Sequence, residues 1–233
     1  RRCIEMASLL DNTNILFIVE GVATEPFLLR KINHVIGFDN YQIFSFKTSI
    51  YELFDQLIDD EFLDLQLVLK ETTLDSYERK ILSQKYASIF LIFDFDPHHH
   101  KYNIDKIHQM ISFFNDSRDT GKLLINFPMI EAHRHLKIMP DHDFIKRCID
   151  ISELSRYKKI VGDFTCYFDI KSYDYELVCE MIAHHLIKMN HWLYGITHMP
   201  TYDEYQILVN DGIKDLVIKQ HELYLTGKIS VLS

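Results

Sequence analysis

The chain has 233 residues, 47% of them hydrophobic and 25% charged, with a formal net charge of −9. That is enough for one generous domain, or one domain with a helical appendage, burying roughly 70–75% of its unfolded surface without staples. Seven Gly and five Pro argue against long flexible linkers, no apolar run reaches the roughly 20 residues of a membrane-spanning helix, and the acidic balance gives no long-range attraction to nucleic acid, so a nucleic-acid role would need local cations, bound metal or a partner.

The first structural signal is Ile15-Leu16-Phe17-Ile18-Val19. Five consecutive apolar residues predict a strand buried on both faces, of the parallel-sheet type. Glu20-Gly21 follows, and Thr24 is expected to cap a helix that carries Pro26 in its first turn. Leu28, Leu29, Ile32, Val35 and Ile36 recur at helical spacing, and Gly37 ends that helix. Residues 41–46 predict a second strand and 49–58 a helix; 61–87 are mixed and partly helical. The strongest strand, residues 88–93, runs into Asp94-Phe95-Asp96-Pro97, and Pro97 cannot continue a central ladder. Asn103 then caps a helix marked by Ile107, Met110, Ile111 and Phe114. Residues 121–126 hold another strand, and 129–138 a short helix after Pro128.

This alternation predicts an α/β fold over residues 1–139: a mostly parallel sheet with helices on both faces. From 140 to 233 the strand signals fade. Long helices are expected over 173–192 and 202–224, forming an α-helical extension packed on the core. Cys3, Cys148, Cys166 and Cys179 have no metal-knuckle or CxxC spacing and are expected to be reduced thiols of a cytoplasmic protein.

Ligands of parallel α/β sheets sit outside the carboxyl ends of the strands. Glu20 lies at one such end; Asp94 and Asp96 lie at another and, being two residues apart in extended chain, face the same way. Converging carboxylates repel one another unless a proton or cation offsets the charge, and Mg²⁺ or Mn²⁺ suits such oxygens while leaving room for a phosphate. The following His98-His99-His100-Lys101 run suits a solvated loop, a phosphate contact or a transition-metal ligand set, and Lys101 is the preferred local cation. Lys122 is expected at the far end of the sheet from Asp94. His133 and His135 would not both point into a site, being two apart on a helix. Tyr173, Tyr175, His184, His185, Trp192 and Tyr194 suit a helix core better than base stacking, and Leu177, Met181, His184, Leu186 and Ile187 suggest a wide apolar face.

Residues 15–26 (ILFIVEGVATEP) and 89–97 (IFLIFDFDP) resemble the two signature segments of the Toprim domain, found in topoisomerases, primases and the OLD family of nucleases. The Glu-Gly-x-x-Thr-Glu form resembles the OLD-like and RloB-like branch, associated with bacterial defence against phage. Asn126-Phe127-Pro128-Met129-Ile130-Glu131 is similar to the Asn-Pro-x-x-Glu segment of RloB-like proteins, with Phe127 separating the Asn from the Pro. The resemblance covers about residues 13–135. It implies a divalent-metal nuclease in which Glu20, Asp94 and Asp96 bind Mg²⁺ or Mn²⁺ and Glu25 or Glu131 completes a second metal site. By analogy it also implies a DNA or RNA substrate (tRNA included), an ATPase or sensor protein as partner, and a role as a toxin-like effector of phage defence; a homo-oligomer is left open. Two rival readings stand beside it: a regulatory module that binds nucleotide, metal or a partner without cleaving, and a strand transferase of primase or topoisomerase type.

Overall fold

A computed structural model describes residues 14–58, 64–210 and 212–233. Cys3 lies outside the described residues, as do 61–63 of the mixed segment and residue 211 of the second long helical pattern. The fold is α/β. Strands β1 (Ile15–Val19), β2 (Tyr41–Ser45), β3 (Ser88–Asp94), β4 (Asn115–Asp116) and β5 (Gly121–Asn126) form one sheet in the order β2-β1-β3-β5-β4. β1 pairs in parallel with both β2 and β3, Val19 standing opposite Ser45 and Ile92; the short β4 pairs antiparallel with β5. Glu20 directly follows β1 and Asp94 is the last residue of β3, so both acids belong to the carboxyl edge of the sheet.

The apolar run of β1 is buried on both faces, with Leu16, Ile18 and Val19 fully buried. β3 instead alternates: Ile89, Leu91 and Phe93 are buried, while Phe90 and Ile92 are half-exposed. The Phe90 ring stacks on Phe17 of the neighbouring strand, 6.0 Å between centroids. Gly121, which opens β5, has φ +93°, and a Cβ there would stand 2.5 Å from Leu91 Cδ1, so both backbone and space call for glycine.

Between the strands run α1 (Thr24–Ile36), α2 (Ile50–Ile58), α3 (Leu65–Thr72), α4 (Ser76–Leu82) and α5 (Ile104–Phe113). Thr24 is the first helical residue of α1 rather than its cap; Ala23 takes that position without a side-chain bond. Gly37 closes α1 in the left-handed conformation, φ 73°. The mixed segment resolves into α3 and α4, each started by an aspartate: Asp64 accepts from Leu67 N, and Asp75 from Tyr77 N and Glu78 N. Asn103 starts α5, its Oδ1 accepting from Asp105 N at 2.7 Å.

The expected helix over 129–138 is only a 3₁₀ segment, Ile130–Arg134. Beyond it come α6 (Tyr157–Phe164), α7 (Tyr175–Tyr194), α8 (Tyr202–Asn210) and α9 (Gly212–Leu225). Asp174 caps α7, accepting from Leu177 N. This part also holds strands that the sequence pattern did not predict: β6 (Cys148–Asp150) and β7 (Lys228–Ser230) pair antiparallel. The chain forms two compact units, one of residues through 93 with 109–124, the other of 94–108 with 125–233.

Candidate functional site

In the first unit, Glu20 is half-buried at the end of β1, where its carbonyl accepts from Lys47 N. Glu25, in the first turn of α1, is buried, and its carboxylate lies over Gly21: a Cβ on Gly21 would stand 2.7 Å from Glu25 Oε1. The Glu20-Gly21 step therefore leaves room for a second acid five residues after the first.

In the second unit, Asp94 is half-buried and its Oδ1 accepts from Asn126 Nδ2 at 3.2 Å. The backbones are locked alongside, Phe95 N donating to Asn126 O at 2.8 Å. Phe95 is buried against Phe127 and Tyr102, ring centroids 5.1 and 5.7 Å away, whereas Asp96 is exposed. Asp96 organises the histidine loop: its Oδ1 accepts from His98 N and its carbonyl from His99 N, both at 3.2 Å. Lys101 is half-buried and its backbone N–H donates to His99 Nδ1. Tyr102 ends the loop with its hydroxyl 2.7 Å from His221 Nδ1 of α9. Burial raises the Tyr102 phenol to about 12, so it stays neutral.

Glu131 sits in the 3₁₀ segment, 3% exposed. Its Oε1 is 3.4 Å from Lys158 Nζ, and its buried Oε2 has no hydrogen-bond partner. A buried carboxylate oxygen without a donor is costly unless a cation or proton meets it. Nearby stands Tyr157, fully buried, its hydroxyl 3.0 Å from His135 Nδ1. Burial first, then the charges of Glu131 and Asp94, push the Tyr157 phenol well above its ordinary value, partly offset by Arg147. Both acids thus act electrostatically on one phenol.

His133 and His135 are both buried in hydrogen-bonded positions: His133 Nε2 meets the Tyr173 hydroxyl at 3.1 Å, its Nδ1 meets Ile130 O, and His135 meets Tyr157. Of the aromatic-rich set, Tyr173 and His185 are core, whereas Tyr175 and Tyr194 are exposed. α7 buries His185, which the sequence placed in a helix core, and Lys188, which sequence reasoning missed, on one stripe with Val178 and Met181. Lys188 Nζ donates to Arg147 O at 2.6 Å and lies 4.7 Å over the Phe144 ring; burial pulls its pKa down to about 7. Tyr157 and the asparagine amide facing Asp94 were likewise not read as site partners. Asn126 was read only as part of the Asn-Phe-Pro segment, and Tyr157 carries no sequence signal beyond opening α6. A cavity of about 250 Å³ beside Phe144, His184 and Ile187 is lined by none of the signature acids.

The structure therefore places Asp94, Asp96, Lys101 and Glu131 in one compact unit and Glu20 and Glu25 in the other. Among the described residues, no three side chains of His, Cys, Asp and Glu form a group able to hold a metal ion. The chemistry of the donors nevertheless fits a hard divalent cation: they are carboxylates, and one of them carries a buried oxygen with no partner. Among the described residues, no helix is long and apolar enough to cross a membrane. No family model, curated protein or solved structure matches the chain.

Proposed function

We propose that this chain is a divalent-metal-dependent nuclease of the Toprim type, of the OLD-like and RloB-like branch, cleaving DNA or RNA phosphodiesters in the cytoplasm as the effector of a phage-defence system. The observation that carries the reading is the buried, partnerless Oε2 of Glu131, in the same unit as Asp94 and acting with it on Tyr157. A structural carboxylate in that position would be expected to have a donor; a carboxylate kept for a cation would not. Asp94, Asp96 and Glu131 in this unit, and Glu20 and Glu25 in the other, are proposed as metal-binding acids on the resemblance, each unit being taken by itself. When bound, Mg²⁺ or Mn²⁺ would polarise a phosphoryl oxygen and lower the pKa of a water. The chain's own residues then have separable tasks. Asn126 orients the Asp94 carboxylate, Gly21 leaves space for Glu25, and Lys101 with the 98–100 histidines would contact the phosphate backbone. The net charge of −9 makes an ATPase or sensor partner, or the metal itself, the source of the attraction that the protein's own field does not supply.

The test is direct. Purified protein is incubated with single- and double-stranded DNA and RNA, tRNA included, with Mg²⁺ or Mn²⁺ and with chelator, beside Asp94→Ala. We expect metal-dependent cleavage in the wild type and at least roughly 100-fold less in the variant, because phosphoryl transfer rests on positioning and charge neutralisation. Cleavage that survives both chelator and Asp94→Ala would end the metal-nuclease reading. Metal or nucleotide binding without cleavage of any substrate would favour the regulatory module.

A further inference from the structure

Asp94 does not hold its orientation alone. Its Oδ1 accepts from the amide Nδ2 of Asn126 at 3.2 Å. The other end of that amide, Oδ1, accepts from the hydroxyl of Ser233 at 2.6 Å. Ser233 is fixed in turn: its backbone N–H donates to Nδ1 of His185 at 3.0 Å, and the neighbouring Leu232 pairs with Phe127 through Leu232 N to Phe127 O at 2.8 Å and Phe127 N to Leu232 O at 2.6 Å. His185 is buried and its Nε2 lies 3.4 Å from His133 O, so the tautomer with the proton on Nε2 satisfies both ring nitrogens. The four side chains form an ordered series, and all belong to the same compact unit.

An asparagine amide can present either its oxygen or its nitrogen, and the two choices have opposite consequences beside a carboxylate. The nitrogen donates to Asp94; the oxygen would repel it. The carboxylate, which only accepts, favours the nitrogen on its side, and this leaves the amide oxygen to be met by a donor on the far side, where the Ser233 hydroxyl stands. We infer that Ser233 is a positioning residue for Asp94: by donating to Asn126 Oδ1 it anchors the amide whose nitrogen faces the carboxylate, with His185 holding Ser233 in place. The inference rests on the reading of Asp94 as a metal-binding acid. It adds that the segment after β7, more than 100 residues away in sequence, sets the geometry of that acid. Groups that orient a ligand in this way are worth 10–100-fold in metal affinity or activity.

The experiment compares wild type, Ser233→Ala, Ser233→Thr and Asp94→Asn by three measurements: the side-chain amide resonances of Asn126 in ¹⁵N-correlated NMR, Mn²⁺ affinity by calorimetry, and cleavage. In the wild type the Asn126 amide pair should be shifted by the carboxylate, and Asp94→Asn should move it. In Ser233→Ala we expect that response to be lost and Mn²⁺ affinity to fall about tenfold, while Ser233→Thr, which keeps the hydroxyl, restores both. Unchanged Asn126 resonances and unchanged Mn²⁺ affinity in Ser233→Ala would overturn the inference. If wild type neither binds Mn²⁺ nor cleaves, yet Ser233→Ala still releases the Asn126 amide from Asp94, the positioning role stands and it is the nuclease reading that fails.

Discussion

At the scale of single residues, the buried acid Glu131 separates a functional from a structural account most cleanly. Lys158, the cation 3.4 Å from its Oε1, is 68% exposed at the side chain, so that ion pair is screened and contributes little. The other Glu131 oxygen, Oε2, is buried without a hydrogen-bond partner. Glu131→Gln should therefore leave the metal-free protein as stable as wild type or up to about 1 kcal/mol more stable, while lowering metal-dependent cleavage by about 100-fold or more. Thermal melting without metal, beside a cleavage assay, reads both. A variant that melts well below wild type would mean that the carboxylate is structural. The acids themselves were legible in the sequence because each stands at a strand or helix end, where period and position coincide: Glu20 after a five-residue apolar run, Asp94 and Asp96 flanking a buried Phe95. Their partners were not. Asn126 bonds to Asp94 and Ser233 to Asn126 across 32 and 107 residues of sequence, and no local pattern records such pairings.

Elements behaved similarly. The strands β1 and β3 followed from runs of five apolar residues, and β2 and β5 from the shorter clusters Ile43-Phe44 and Leu123-Leu124-Ile125 between polar neighbours. β6 and β7 did not, since Cys148-Ile149-Asp150 and Lys228-Ile229-Ser230 each carry one strongly apolar residue in three. What defines them lies elsewhere, in Gln220 of α9. That side chain is fully buried, its Nε2 donating to Ser230 O at 2.9 Å and its Oε1 accepting from Ser230 N at 3.0 Å. A side-chain amide thus supplies both bonds that a third strand would have given Ser230. Gln220→Leu keeps the volume but leaves a buried N–H and C=O unpaired, a loss of about 2–4 kcal/mol. Urea unfolding would measure it, and amide exchange should show Ser230 N–H losing protection first; a loss under about 0.5 kcal/mol would mean that the strand is held by β6 alone. The same blindness to long-range partners explains α7. Leu177, Met181, His184, Leu186 and Ile187 were expected as its apolar face; of these Met181 lies in the buried stripe, which runs Val178, Met181, His185 and Lys188 because Arg147, Phe144 and Ser233 supply partners for the two polar side chains.

For the whole molecule, the distribution of buried histidines makes the two compact units respond differently to acid. Burial pulls His133 and His135 down to about 4 and His185 to about 3, with the nearby cations Arg134, Arg147 and Lys188 adding to it. All three lie in the unit of residues 94–108 and 125–233. A histidine whose folded pKa lies below its unfolded 6.5 contributes full stability above pH 6.5. That contribution is lost as pH falls through the window from 6.5 to about 4, because the unfolded chain takes up the proton first. The loss is on the order of 3 kcal/mol for each histidine by pH 4. Lys188 works in the opposite window: with a folded value of about 7 below its usual 10.5, it adds stability as pH rises from 7 toward 10.5 and changes nothing further on acidification. Acid should therefore open the histidine-bearing unit first. Amide exchange at pH 7, 5.5 and 4.5 would show protection falling in residues 125–233 while β1 and β2 keep theirs, and the His133, His135 and His185 ring resonances should hold their neutral shifts down to the pH at which that protection is lost. Uniform loss of protection across both units, or ring protons titrating near 6.5 in the folded protein, would show that these histidines are not the groups that set acid stability. The distinction matters for the proposed chemistry, since His185 holds Ser233 through a nitrogen that must stay unprotonated. Protonation of His185 would then release Asn126 and Asp94 in the same step that opens the unit, so metal affinity and the unit's protection should be lost in one transition rather than two.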